Sequence, residues 1–115
     1  MLFRPRAGLS AEDATALGDA FARALNDIPS VRRARVGKRI AIGRDYEQLM
    51  AVDYQYAAVI EFDDVAGLKS YLEHRAHDEV GRRFFESIEE GLVFDFEMMT
   101  GADGLADLLE RRGGV

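Results

Sequence analysis

The stretch YLEHRAHDEV, residues 71–80, places a tyrosine and both histidines of the chain within seven residues. Imidazole has an unperturbed pKa of about 6.5, so it exchanges protons near neutral pH. Next to a phenol it forms a usable pair for carbonyl chemistry. Neutral His77 would take a proton from the carbon alpha to a carbonyl. Tyr71 would hold the developing enolate oxygen by a hydrogen bond in a dry pocket. A plainer reading uses the same residues. Tyr71 packs between helix and sheet, and His77 caps carbonyls freed where a helix ends. A metal reading joins His74 and His77, at i and i+3, to Glu73, Asp78 and Glu79. Two histidines at that spacing carry little weight without a third ligand fixed elsewhere, so no metal is expected. The residues alone favour packing over a ligand pocket, and a pocket over catalysis.

These side chains must be positioned by the segments around them. Val65, Leu68 and Leu72 centre on one direction of a helix. Val80, Phe84, Phe85 and Ile88 centre on another, displaced by roughly 150° at the helical repeat. One straight helix cannot bury both sets in one groove, so a break is expected near residues 73–78. His74 lies roughly opposite the first stripe and is expected to face solvent or a partner chain. Asp63 or Asp64 is placed to cap the first helical piece.

Upstream, MLFRPRA reads as a short strand ending at or near Pro5, which cannot donate to a ladder. Ser10 and Asp13 resemble a capping box. Apolar positions 14, 17, 18, 21, 24, 25 and 28 follow a helical period that Pro29 ends, giving a helix over about 11–26. A second strand follows in VRRARVGKRIAIG, with Ala34, Val36, Ile40 and Ile42 on one face and Gly37 as a candidate bulge. After an irregular connection, YQYAAVIEFD (residues 54–63) is apolar on both faces. That marks a central, covered strand. GLVFDFEMM, residues 91–99, is the last expected strand, with Leu92, Phe94, Phe96 and Met98 facing one way. The tail has the spacing of a short helix burying Leu105, Leu108 and Leu109, with a frayed end at Gly113 and Gly114.

The order β-α-β-β-α-β is the ferredoxin-like α+β plan: an antiparallel four-stranded sheet with two helices on one face. The other face, expected to carry Tyr, Phe, Met and Val, has no helix of its own. Left bare, it would be a larger apolar patch than soluble monomers usually tolerate. The simplest cover is a second copy, giving a homodimeric α/β barrel.

The bulk numbers limit the rest. With 115 residues the chain is most simply one domain, expected over 1–100 with a C-terminal extension at 101–115. The absence of cysteine excludes disulfide and thiolate chemistry and fits a reducing cytosol. No apolar run approaches the roughly 20 residues of a membrane span, and MLFRPRAGLS lacks a signal-peptide core. A soluble, cytoplasmic protein is expected, with no membrane partner. The net charge of −6 repels nucleic acid. The one basic stretch, VRRARVGKR, interleaves its charges with Ala34 and Val36 rather than stacking aromatics. It reads as a solvated strand that guards a sheet edge.

Three stretches resemble the stress-responsive α/β-barrel family, often called Dabb: FRPRAGLSAED, IPSVRRARVGKRI and VIEFDDVAGLKSYLEHRAHDEV. The resemblance runs to about Met98. The third stretch is the most specific, being similar to an apolar strand, Phe-Asp, a short helix and then Tyr-x-x-His-Pro-x-His. Arg75 stands where the family has the proline, so the joint must be held by packing. The resemblance implies a dimeric α+β barrel. Most of the family has no established activity, but a plant polyketide cyclase within it performs an aldol closure. Its acting tyrosine and histidine correspond to Tyr71 and His77. Tyr56 stands where that enzyme has a histidine, and Phe21 where it has a tyrosine.

The combined expectation is a homodimeric barrel protein of undetermined biochemical role. It would bind a small apolar or aromatic molecule, without a cofactor, in a pocket of Phe21, Tyr56, Tyr71 and His77. One alternative is an aldol-type cyclase with His77 as base and Tyr71 as oxyanion donor. Another is a structural or stress-protective oligomer. The aromatic set Tyr54, Tyr56, Phe62, Phe94 and Phe96 reads as barrel core rather than a substrate cage.

Overall fold

Ser10 opens the first helix, its hydroxyl accepting from the Asp13 amide at 3.1 Å. In the computed structural model, which describes residues 1–111, that helix is α1 (Ala11–Asp27). It follows strand β1 (Leu2–Pro5) and precedes β2 (Arg33–Lys38). A 3-10 helix, Asp45–Leu49, crosses to β3 (Tyr56–Glu61). Then come α2 (Val65–Glu73), α3 (Arg75–Ser87), β4 (Ile88–Leu92) and α4 (Gly101–Arg111). The expected frayed end at Gly113 and Gly114 lies outside the described residues.

The strands form one antiparallel sheet in the order β2-β3-β1-β4, so β3 is central as its two-sided apolar pattern required. This is the ferredoxin-like α+β arrangement. Alternation assigns the faces. Ala58 and Ile60 of β3 point toward the helices with their partners Val36 and Ala34. Ala20, Ala24, Ile28, Tyr71 and Val80 form the buried cluster, with Phe21, Val31, Ile60, Phe62 and Ala76 packed against it. Ala20, Ala24 and Ala58 are almost fully buried. Their short side chains let α1 lie close to α3 and the sheet. Arg23 of α1 also donates to Glu79 of α3, which holds that carboxyl below its ordinary value.

Three local expectations change. The last strand spans Ile88–Leu92, not 91–99. It pairs with β1, and the pairing runs out at Leu2↔Leu92 because β1 offers nothing beyond Leu2. Residues 93–100 therefore carry no strand pairing, and Phe94, Phe96 and Met98 are exposed. Gly37 is no bulge, because it pairs in continuous register with Ala57. The irregularity lies between Arg4 and Pro5, where the proline lacks an amide proton.

The bare face is also less aromatic than its strands suggest. Leu2, Ala57, Val59 and Leu92 line it, together with Arg4, Arg33, Arg35, Glu61 and Glu90. Tyr56 belongs to the opposite face, where it stacks on Phe3 at 5.7 Å. Leu105, Leu108 and Leu109 of α4 are exposed, not buried. Among the described residues, no helix is long and apolar enough to cross a membrane.

Two consequences are measurable. Ala24→Leu forces a larger side chain between α1 and its neighbours and is expected to cost about 1–3 kcal/mol in urea unfolding. Because the Glu79 carboxyl is lowered in the fold, the Arg23–Glu79 contribution is present above the unfolded value of 4.5 and fades as pH falls through the lower folded value. Glu79→Gln should flatten that part of the acid-stability profile.

Candidate functional site

The helical segment breaks at His74, whose φ of −72° and ψ of 142° are extended. α2 begins at Asp64, whose carboxylate accepts from the Gly67 amide at 2.8 Å. It ends with the His74 amide donating to the Tyr71 carbonyl at 3.2 Å. α3 begins at the same residue. His74 Nδ1 accepts from the Ala76 amide at 2.9 Å, and the His74 carbonyl accepts from the amides of His77 and Asp78. With Arg75 in place of a proline, a histidine side chain satisfies an amide that the break leaves open. His74 is thus half-buried and engaged with its own backbone, not turned to solvent. The capping role expected for His77 belongs to His74. Histidine is not among the usual N-cap residues, so no sequence signature marked it.

The break creates the pair. Six residues apart on one continuous helix, Tyr71 and His77 would sit about 9 Å apart along the axis and about 120° apart around it. Across the joint their rings meet edge to face, with centroids 4.7 Å apart. Phe62, just beyond β3, closes the other side of Tyr71 at 5.1 Å. Tyr71 is 7% exposed, and burial raises its phenol above the ordinary 10.0. It is a neutral hydrogen-bond donor at physiological pH. His77 is half-buried.

The expected pocket residues divide between two places. Phe21 packs against the buried cluster that contains Tyr71. The ring contact of Tyr56 runs instead to Phe3, which meets Phe84 of α3 edge to face at 5.3 Å. Tyr56 also lines an open groove of about 450 Å³ with Lys38, Arg39, Ala41, Asp53 and Gln55. A second groove of about 260 Å³ lies along Arg39, Ile40, Ile42, Tyr46, Glu47 and Met50. Sequence reasoning did not foresee these grooves, which arise where β2 ends and the chain turns back. There Glu47 accepts from the amides of Ile42 and Arg44, which holds its carboxyl below the ordinary value. Among the described residues, no group of three or more His, Asp or Glu is placed to hold a metal ion.

A ferredoxin-like protomer with a tyrosine–histidine contact at a broken second helix defines the class. The chain belongs to the stress responsive A/B barrel domain family, whose model matches residues 1–98. Solved structures agree on the fold. An Arabidopsis thaliana protein is 23% identical, covering 88% of this chain and 93% of its own, with a TM-score of 0.71. A dimeric ferredoxin-like protein of unknown function from Thermobifida fusca is 19% identical over 77% of each chain, with a TM-score of 0.58. Another, from Jannaschia sp. CCS1, is 24% identical over 90% of this chain and 85% of its own, with a TM-score of 0.55. No curated protein matches the chain. The family carries no single biochemical role to this chain, which leaves its site to be read from geometry.

His74→Ala is expected to lose roughly 0.5–2 kcal/mol by urea unfolding, the range for losing an N-cap, while His74→Asn keeps most of it. Tyr71 gives a pH signature. Its raised phenol contributes stability that is present below pH 10.0 and lost as pH climbs through the folded value. Tyr71→Phe should blunt the alkaline loss, read from unfolding midpoints across that range.

Proposed function

We propose that this protein is a homodimeric α/β-barrel protein that binds a small apolar or aromatic molecule beside Tyr71 and His77. The observation that carries the reading is the ring contact across the helix joint. It sets a neutral phenol and an imidazole at the margin of an apolar layer that includes Phe21 and Phe62. A few polar groups on an apolar wall is the composition of small-molecule sites. The dimer is supported by the helix-free face with Leu2, Val59 and Leu92 exposed, and by fold relatives described as dimeric. The barrel unit would take residues 1–100, with 101–115 as an extension. The cysteine-free chain fits a cytoplasmic setting.

One observation favours a second, enzymatic reading. Burial keeps Tyr71 protonated, as a donor to an enolate oxygen must be. His77 would then remove the alpha proton of a poly-β-keto chain, and aldol closure would follow.

Resorcinol and 2-naphthol serve as probes, followed through the ring-proton resonances of His77. Saturable shifts are expected, with affinity falling at least about tenfold in His77→Ala and in Tyr71→Phe. Linear, unsaturable shifts with both probes would leave the pair a packing element. Turnover of a poly-β-keto substrate that disappears in His77→Ala establishes the second reading, and turnover unchanged in that variant removes it.

A further inference from the structure

The two edges of the sheet are both open and differ in charge. On one edge, β2 presents Arg35 and Lys38, exposed and without an ion-pair partner among the described residues. Their neighbours are already engaged: Arg32 with Asp63, Arg33 with Glu61 and Arg39 with Asp53. On the other edge, β4 runs into residues 93–98, which have the alternation of a strand and no strand to pair with. Along that arm Asp95 and Glu97 are exposed and likewise lack a partner among the described residues. Continuing the alternation of β4 puts Phe94, Phe96 and Met98 in line with Leu92, on the side of the helix-free face. These side chains are 62%, 76% and 83% exposed, a large apolar surface for a strand to leave in water.

We infer that the 93–98 arm of one protomer adds to the β2 edge of a second copy of this chain, with Asp95 and Glu97 answering Arg35 and Lys38. The inference rests on the dimer proposed above and specifies how it closes. The two edges lie on opposite sides of a four-stranded sheet, roughly 14 Å apart at ordinary strand spacing. One chain does not bring them together by local folding. A two-fold axis brings each edge to its counterpart, so both open ladders and both charge sets are satisfied at once. Strand addition supplies the backbone hydrogen bonds, and the opposite charges select the edge. Phe94, Phe96 and Met98 then join Leu2, Ala57, Val59 and Leu92 between the two sheets.

The test is a charge exchange, read by sedimentation velocity with circular dichroism as the check on folding. Arg35→Glu with Lys38→Glu makes both edges acidic. Asp95→Lys with Glu97→Lys makes both basic. Each double variant alone is expected to dissociate at least about tenfold more readily than the parent, through like-charge repulsion. An equimolar mixture is expected to recover the dimer, because a heterodimer restores opposite charge at both contacts. Variants that dimerise like the parent, or a mixture that stays dissociated, would overturn the edge pairing while leaving a parent dimer intact. A parent chain that sediments as a monomer sinks the dimer itself. Amide exchange on the unmutated protein gives an independent reading. Protection of residues 93–98 that vanishes on dilution supports the pairing, and unprotected amides in an intact dimer refute it.

Discussion

A four-stranded antiparallel sheet with helices on one face can bury only half of what its strands carry. That constraint organises this molecule. The helix-facing half holds Ala58 and Ile60 beneath Ala20, Ala24, Ile28 and Val80. The resulting core is thin and built largely from small side chains. It brings α1 and α3 close enough for Arg23 to reach Glu79, but leaves many larger apolar groups outside. The other half, with Leu2, Val59 and Leu92 among charged neighbours, gains no cover from its own chain. Burial is the main favourable term in folding, so a sheet this unevenly covered gains most from a further surface.

The broken helix is the second consequence of fitting a long segment to one side of a short sheet. Two apolar stripes point in different directions, and a break lets each find its own part of the core. The interruption opens backbone amides, and His74 answers one of them with its ring. Tyr71 and His77 then come into contact only because the axis changes direction between them. The candidate site is thus a product of the packing solution, held by one capping histidine and by the aromatic layer of Phe62 and Phe21. The raised phenol of Tyr71 has the same origin, since it results from desolvation rather than a neighbouring charge.

Charge follows a similar division. Most arginines near β2 are tied to acidic groups on adjacent segments, while Glu89 and Glu90 both approach Arg4 within the sheet. The unengaged charges collect at the sheet's two edges and have opposite sign. An edge that repels its own kind and attracts its counterpart limits indiscriminate strand addition. A net charge of −6 does not reveal this, because it averages the basic β2 region with the acidic end of the chain.

The sequence by itself determined what depends on local period and capping. The two-sided apolar pattern of residues 54–63 made β3 central, Ser10 and Pro29 bounded the first helix, and the rotated stripes implied the break. Each follows from a repeat of 2 or about 3.6 residues and needs no distant partner. Tertiary structure decided what depends on which neighbour is present. β4 stops at Leu92 because β1 supplies nothing beyond Leu2, although the alternation itself runs on to Met98. Tyr56 joins Phe3 and Phe84 instead of Tyr71 because register, not hydrophobicity, sets its contacts. His74 became the cap because the break fell at that residue, and only backbone geometry could place it there.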